Sequence, residues 1–467
     1  MRKNGLLIMI GSALLFNISC ISKSKEADSN KEEVRLITLN PGHFHAALIQ
    51  KVSYPGVSKD VYVYAPEGED IKEHLKKIES FNARTDSPTQ WNEIVYIGPD
   101  FLEKMIAEKK GNLMITAGNN GKKTDYILAT LKAGINVLSD KPMAINSKDF
   151  ETLQTCFKTA QQNNLLLYDI MTERFEITTV LQKEISLIPE IYGKQEKGTP
   201  QDPSIYIKSV HYFLKEVAGS PLIRPAWFFD IEQEGEGIVD VATHLVDLIQ
   251  WECFPGVIID YNKDIKILDA NHWSTPISLN EYKRVTNTKQ FPDFLTKYIS
   301  HDTLHIYANG DILYKIKDIH AKVSVLWNYS SKRGGDLHFS VMKGSKALLI
   351  IQPTEGMGNH PELCIKANLK VDVAKYAKKI EQAFQVIADK YPGVTLKEKE
   401  KGLWQVEIPD KYFNGHESHF EQVTEKFLDY LKNQTMPAWE IPNMIAKYYV
   451  TTKALELAKK KSVTGNE

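Results

Sequence analysis

The chain has 467 residues, a formal net charge of −1, 42% hydrophobic and 25% charged residues. That is an ordinary globular composition with room for two or three cores. The near-neutral balance offers no basic surplus for nucleic acid, so no nucleic-acid partner is expected.

The amino terminus stands apart. Arg2 and Lys3 precede an apolar run, Leu6 to Phe16, and then Ser19-Cys20, which is the layout of a secretory signal and too short to span a membrane as a helix. A Cys placed directly after the run resembles a bacterial lipoprotein signal. That implies a leader over 1–20, Cys20 as the lipidated first residue, and a polar tether over 21–33. A lipid-anchored location in the cell envelope, on the periplasmic side, is the expectation. No twin arginine precedes the apolar run, so any cofactor is met outside the cytoplasm.

A dinucleotide-binding domain is expected over 34–170. The apolar strand Val34 to Leu39 runs through Asn40-Pro-Gly-His-Phe-His45 into a helix over Ala46 to Val52, the strand, turn and helix that seat a pyrophosphate. Spacing Gly-x-Gly-x-x-Gly onto this turn places Asn40, Gly42 and His45 at the three positions, so Gly42 and its neighbour His43 are the cofactor contacts. Glu67, after the strand Asp60 to Tyr64, is the nearest carboxylate for a ribose, which leaves NAD and NADP both open. A strand over Leu113 to Ala117 ends in Gly118-Asn-Asn-Gly121, adding Asn119 and Asn120 as cofactor contacts. A helix over Asp125 to Ala133 stops at Gly134. The strand from Ile135 is ended by Pro142 and leaves Asp140 and Lys141 at its carboxyl end, the rim where open α/β sheets bind ligands. Partial desolvation there is expected to lower the lysine pKa.

The run Ile115 to Pro142, with its Val-Leu-x-Asp-Lys-Pro, resembles the Gfo/Idh/MocA family of sugar and cyclitol oxidoreductases. Asp140 stands where that family usually has Glu, and Asn119, Asn120 and Lys123 stand in its Pro-Asn-x-x-His turn. Met171-Thr-Glu-Arg-Phe175 is similar to the family's Met-x-x-Arg-Phe, where Arg174 either bridges domains or contacts ligand. In Gly235-Glu-Gly-Ile-Val-Asp-Val-Ala-Thr-His-Leu-Val-Asp247, residues Asp240, His244 and Asp247 share one face if helical, with Thr243 beside them. This segment resembles the family's glycine-rich motif containing Asp, His and Asp. The resemblance implies Lys141, His244 and Asp240 as the catalytic set, Asp240 holding the histidine, with NAD or NADP tightly bound. Arg174, Thr243 and Asp247 are expected at the substrate, and Trp227 either stacks on a sugar face or belongs to the core. No metal site is expected.

Residues 171–467 are expected to form an α+β substrate domain. Its strands are Asp302 to Tyr307, Asp311 to Ile316, Ala321 to Trp327, Leu337 to Met342 and Ala347 to Ile351, with turns at Asn309-Gly310, Arg333-Gly-Gly335 and Lys343-Gly-Ser345. A loop at Gly356-Met-Gly-Asn-His-Pro361 and a helix over Val371 to Asp389 have no assigned role. His416-Glu-Ser-His419 opens closing helices over 417–462. The fold class is therefore α/β, a doubly wound Rossmann-type sheet followed by a large, mostly antiparallel open sheet through which the family forms oligomers. Three functions follow: an NAD(P)-dependent oxidoreductase of a carbohydrate or glycoside hydroxyl, a redox-neutral glycosidase working through a keto-sugar, or a saccharide-binding lipoprotein.

Overall fold

Six short apolar runs alternating with helices make a fully parallel sheet: β1 (Leu36–Leu39), α1 (His45–Leu48), β2 (Asp60–Ala65), α2 (Glu69–Asn82), β3 (Asn92–Ile97), α3 (Phe101–Glu108), β4 (Leu113–Thr116), α4 (Lys123–Lys132), β5 (Asn136–Asp140), α5 (Ser147–Gln162) and β6 (Leu167–Ile170). The structure is a computed structural model describing residues 33–217, 220–331, 335–354 and 360–464. Cys20, the leader and nearly all of the tether lie outside the described residues, as do parts of the turns expected at 333–335 and 356–361. The strand order β3-β2-β1-β4-β5-β6 reverses between β1 and β4, and crevices for ligands form at such reversals. Every residue of β1, β4 and β6 is buried, because helices cover both faces. The edge strand β3 is largely exposed although it carries the apolar run Ile94-Val-Tyr-Ile97.

The second lobe adds α6 (Ile177–Ser186), β7 (Ile205–Leu214), α7 (Ala242–Cys253), a one-turn α8 (Tyr261–Asp264), α9 (Leu279–Thr286), α10 (Val373–Lys390), α11 (Gly415–Asn433) and α12 (Glu440–Thr464). Its large sheet runs in the order Ile265–Ser278, Thr303–Ile316, Ile319–Ser330, β7, Leu337–Lys343, Ala347–Gln352, Glu362–Ala367, Leu403–Glu407 and Thr395–Glu400. All these neighbours pair antiparallel except β7 with Ile319–Ser330. The Asn309-Gly310 turn does not form. A single strand runs from Thr303 to Ile316, because the buried Asn309 side chain donates to Trp273 O (3.0 Å) and Thr275 Oγ1 (2.8 Å) and accepts from the Trp327 N–H (2.8 Å). Neighbours on both sides thus override a strong local turn signal.

A network of charges, most of them buried, ties α7, α11 and α12 together at the domain junction and reaches the first lobe through Asp169. Arg174 grips Asp247 with two hydrogen bonds (2.6 and 2.7 Å) and Glu440 with its third edge (3.0 Å). Lys447 of α12 reaches Asp169 of β6 (2.7 Å) and Asp247 of α7 (2.8 Å), and Lys426 of α11 approaches Glu440 (3.3 Å). Burial alone would raise the Asp247 pKa, but Arg174 and Lys447 hold it well below the usual carboxylate range. Arg174 and Asp247 are therefore joined to each other and to α12, which for Arg174 is the bridging alternative. Thr243 is fully buried and its hydroxyl donates to Val239 O (2.7 Å). Replacing Arg174 by Met strands buried carboxylates, so the expected loss of stability is about 3–5 kcal/mol, read as a lowered urea midpoint at unchanged slope. A change under about 1 kcal/mol, the value of an exposed pair, contradicts this role for the network.

Candidate functional site

Lys141 leaves the carboxyl end of β5 and its ammonium pairs with Asp240, a residue of the other lobe. Asp240 sits in the turn before α7, which begins only at Ala242. Its carboxylate is engaged by Lys141, and the expected Asp240–His244 pairing is absent among the contacts of the described residues. His244 Nδ1 is buried with no partner among them. Burial, then the charges of Lys141 and His416, push the His244 pKa well below its ordinary value. For Lys141 burial works downward, but Asp240 and Asp140 outweigh it and raise the pKa above the ordinary lysine value, correcting the lowered pKa expected from desolvation. At neutral pH the site thus holds a protonated amine, its counter-carboxylate and a neutral imidazole.

Asp140 turns toward the first loop. Its Oδ2 lies 2.9 Å from His45 Nδ1 and 3.9 Å from His43 Nδ1. Beneath it the fully buried Lys123 donates to Asn120 Oδ1, to Asp140 O (2.9 Å) and to Pro142 O (3.0 Å), and burial brings its pKa down to about 8. Lys123 therefore pins the end of β5 from the position where the related family carries histidine. Asn119 donates to Gln233 Oε1 (2.9 Å) and Asn120 to Glu234 O (2.8 Å), while the N–H groups of Asn120 and Gly121 donate to Gln233 O (2.7 and 3.0 Å). Asn119 and Asn120, the expected cofactor contacts, thus link the two lobes in this structure.

The glycine turn departs furthest from expectation. The N–H groups of Gly42 and His43, which a dinucleotide turn offers to a pyrophosphate, both donate to Ala117 O (3.0 and 3.1 Å). Trp227 lies over the turn with its indole N–H on Asp70 Oδ2 (2.8 Å). A Cβ on Gly42 would meet Trp227 Cζ2 at 3.1 Å, Asp70 Oδ2 at 3.2 Å and Gly118 Cα at 3.3 Å. The helix that follows is one turn long, too short for aligned peptide dipoles to accumulate. In this conformation the turn spends its amides on Ala117 O, and Trp227 lies over it with its indole N–H on Asp70.

Several cleft residues went unassigned in the sequence. Glu173, next to Arg174, is raised to about 7 by burial, Glu176 and Asp336. His211 Nδ1 is 2.9 Å from Asp336 Oδ2, Ser209 Oγ is 2.6 Å from His211 Nε2, and Lys215 also holds Asp336. The charges of Lys141 and Lys215 both act on His45, Glu173 and His416. His416, at the start of α11, puts its ring 5.5 Å from that of His45. The one sequence signal for this group is the His-x-His spacing of His43 and His45.

Two family profiles match the chain: "Putative oxidoreductase C terminal domain" over residues 181–459 and "Oxidoreductase family, NAD-binding Rossmann fold", the GFO_IDH_MocA profile, over 65–168. The second match begins after the glycine turn. Among solved structures, a "putative oxidoreductase" from Parabacteroides merdae ATCC 43184 is 62% identical, with a TM-score of 0.90 over 92% of this chain and 98% of that one. A "putative oxidoreductase" from Thermotoga maritima is 13% identical (TM-score 0.59, 91% and 98% covered). A levoglucosan dehydrogenase, in complex with NADH and levoglucosan, is 11% identical (TM-score 0.59, 92% and 98% covered). The latter two likenesses are of fold. No curated protein matches the sequence. If the indole is what closes the turn, Trp227→Ala uncovers Gly42 and tightens NAD binding by about tenfold, roughly 1.4 kcal/mol, in a calorimetric titration. Unchanged or weaker binding would rule out Trp227 as a plug.

Proposed function

This chain belongs to the Gfo/Idh/MocA oxidoreductase family, and from that premise we propose that it acts on a hydroxyl of a carbohydrate or glycoside in the cleft around Lys141. The observation that carries the reading is the Lys141–Asp240 pair, formed between the two lobes beside a neutral His244. NAD, the cofactor of the family's Rossmann fold, supplies hydride chemistry when bound. The protein's own groups handle the proton and the oxygen. The Lys141 ammonium, held charged by Asp240, donates to the reacting oxygen and steadies the negative charge that develops there. His244, kept neutral, accepts the hydroxyl proton. Glu173, Lys215, His211 and Asp336 give the cleft the donors and acceptors a polyhydroxylated ring needs, and a structural neighbour is a levoglucosan dehydrogenase holding its sugar.

A redox-neutral variant is favoured by the leader. Arg2, Lys3, the apolar run and Cys20 suit lipid anchoring in the cell envelope, away from a recycled nicotinamide pool. There, oxidation of a sugar hydroxyl to a ketone acidifies the neighbouring C–H, so that the adjoining glycosidic oxygen leaves by elimination; water then adds to the resulting unsaturated ketone, and the hydride removed in the first step is returned to the ketone. Association through the large sheet belongs to the same reading.

Product analysis on a panel of glycosides, with and without added NAD, tests the proposal. Free sugar without net NADH marks the redox-neutral cycle, and stoichiometric NADH marks net oxidation. Lys141→Ala is expected to cut turnover by about 100-fold or more while the circular dichroism spectrum is retained. Full turnover in that variant, or no product from any glycoside under either condition, sinks the reading.

A further inference from the structure

The first loop carries two histidines where a dinucleotide turn carries glycine or small residues, and their geometry serves a purpose of its own. The turn that Ala117 O ties down through Gly42 and His43 brings the rings of His43 and His45 to 4.0 Å between centroids, edge to face. Asp140 arrives from β5, and the ligand atoms of the three side chains all lie within 4.8 Å of one another. We infer that His43, His45 and Asp140 form a binding site for one divalent transition-metal ion.

Two physical points support it. Bonds of about 2.0–2.2 Å from nitrogen and oxygen to such an ion leave neighbouring ligand atoms roughly 3–3.5 Å apart, and the His45–Asp140 and His43–Asp140 separations of 2.9 and 3.9 Å bracket that spacing. Two imidazoles and one carboxylate are the donor set of first-row ions that keep open coordination positions, whereas magnesium and calcium take mostly oxygen.

The surroundings are those of a prepared site. Phe44 and Phe420 pack against the His45 ring, each 4.5 Å between centroids, and exclude water from one side. Lys123 fixes the Asp140 backbone through its carbonyl (2.9 Å), the kind of outer support that orients a ligand. The nearby positive charge of Lys141 is neutralised by Asp240. His416 stands toward the remaining side, 5.5 Å from His45 between ring centroids. The inference does not depend on the reaction proposed above, since it concerns binding alone.

The test is titration of the full chain, stripped with chelator, with Co2+ as the probe. The expected result is uptake of one equivalent, accompanied by visible ligand-field absorption and a raised melting temperature. His45→Ala and Asp140→Asn are each expected to weaken Co2+ binding by more than about 100-fold, beyond the 10–100-fold typical of an outer-shell change. Absence of stoichiometric uptake by the unmodified chain overturns the site, and that measurement needs no variant to fold. Uptake that persists undiminished when His43, His45 and Asp140 are all replaced assigns the ion to other groups and overturns it equally.

Discussion

A charge-balanced cluster at the domain junction sets Arg174, Lys426 and Lys447 against Asp169, Asp247 and Glu440, and its Lys447–Asp169 pair joins α12 to the first lobe. Each ion carried out of water costs several kcal/mol, and only partners in good geometry repay it. A small slip of α12 or α7 would therefore leave a carboxylate or a cation uncompensated. The register of the second lobe on the carboxyl end of β6 is fixed by that penalty. The meeting of Lys141 with Asp240 follows, because β5 runs beside β6 and Asp240 lies just ahead of α7.

The same fixed junction decides the electrostatics of the cleft. Burial disfavours charge on an amine and on an imidazole alike, yet Lys141 and His244 end in opposite states. Lys141 has a carboxylate in contact and another within Coulombic reach, so pairing outweighs desolvation. His244 has an unpartnered Nδ1 and the positive charges of its neighbours, so nothing opposes desolvation enough to keep it charged.

The first turn shows how a fold and its ligand chemistry separate. The parallel order around β1 persists, since it rests on apolar strands covered on both faces, and family likeness over 65–168 persists with it. The turn itself answers to different demands. Its amides close onto Ala117 O, Trp227 covers Gly42, and His43 and His45 face Asp140. A glycine allows close approach of whatever is adjacent; here the adjacent groups are Gly118 and an indole.

Local pattern made much of this protein legible. Alternation of apolar strands with helices, the stop at Gly134 and the placement of Asp140 and Lys141 at a strand end all follow from periodicity and turn chemistry, which act over a few residues. Lys141, Asp240 and His244 stand in two motifs that resemble the family's, and the structure pairs Lys141 with Asp240. What spacing alone did not supply was partnership. Asp240 lies four residues from His244 but bonds Lys141, 99 residues away; Arg174 and Asp247 have the polarity of ligand contacts but spend it on α12; Asn309-Gly310 spells a turn but lies within one long strand. In each case the deciding contact comes from an element distant in sequence, and the free energy of leaving a buried polar group unpaired exceeds any local preference. Sequence by itself determined the layers of the fold and the chemical types brought to the crevice, whereas tertiary structure alone decided which of those groups are spent on each other and which remain free to meet a ligand.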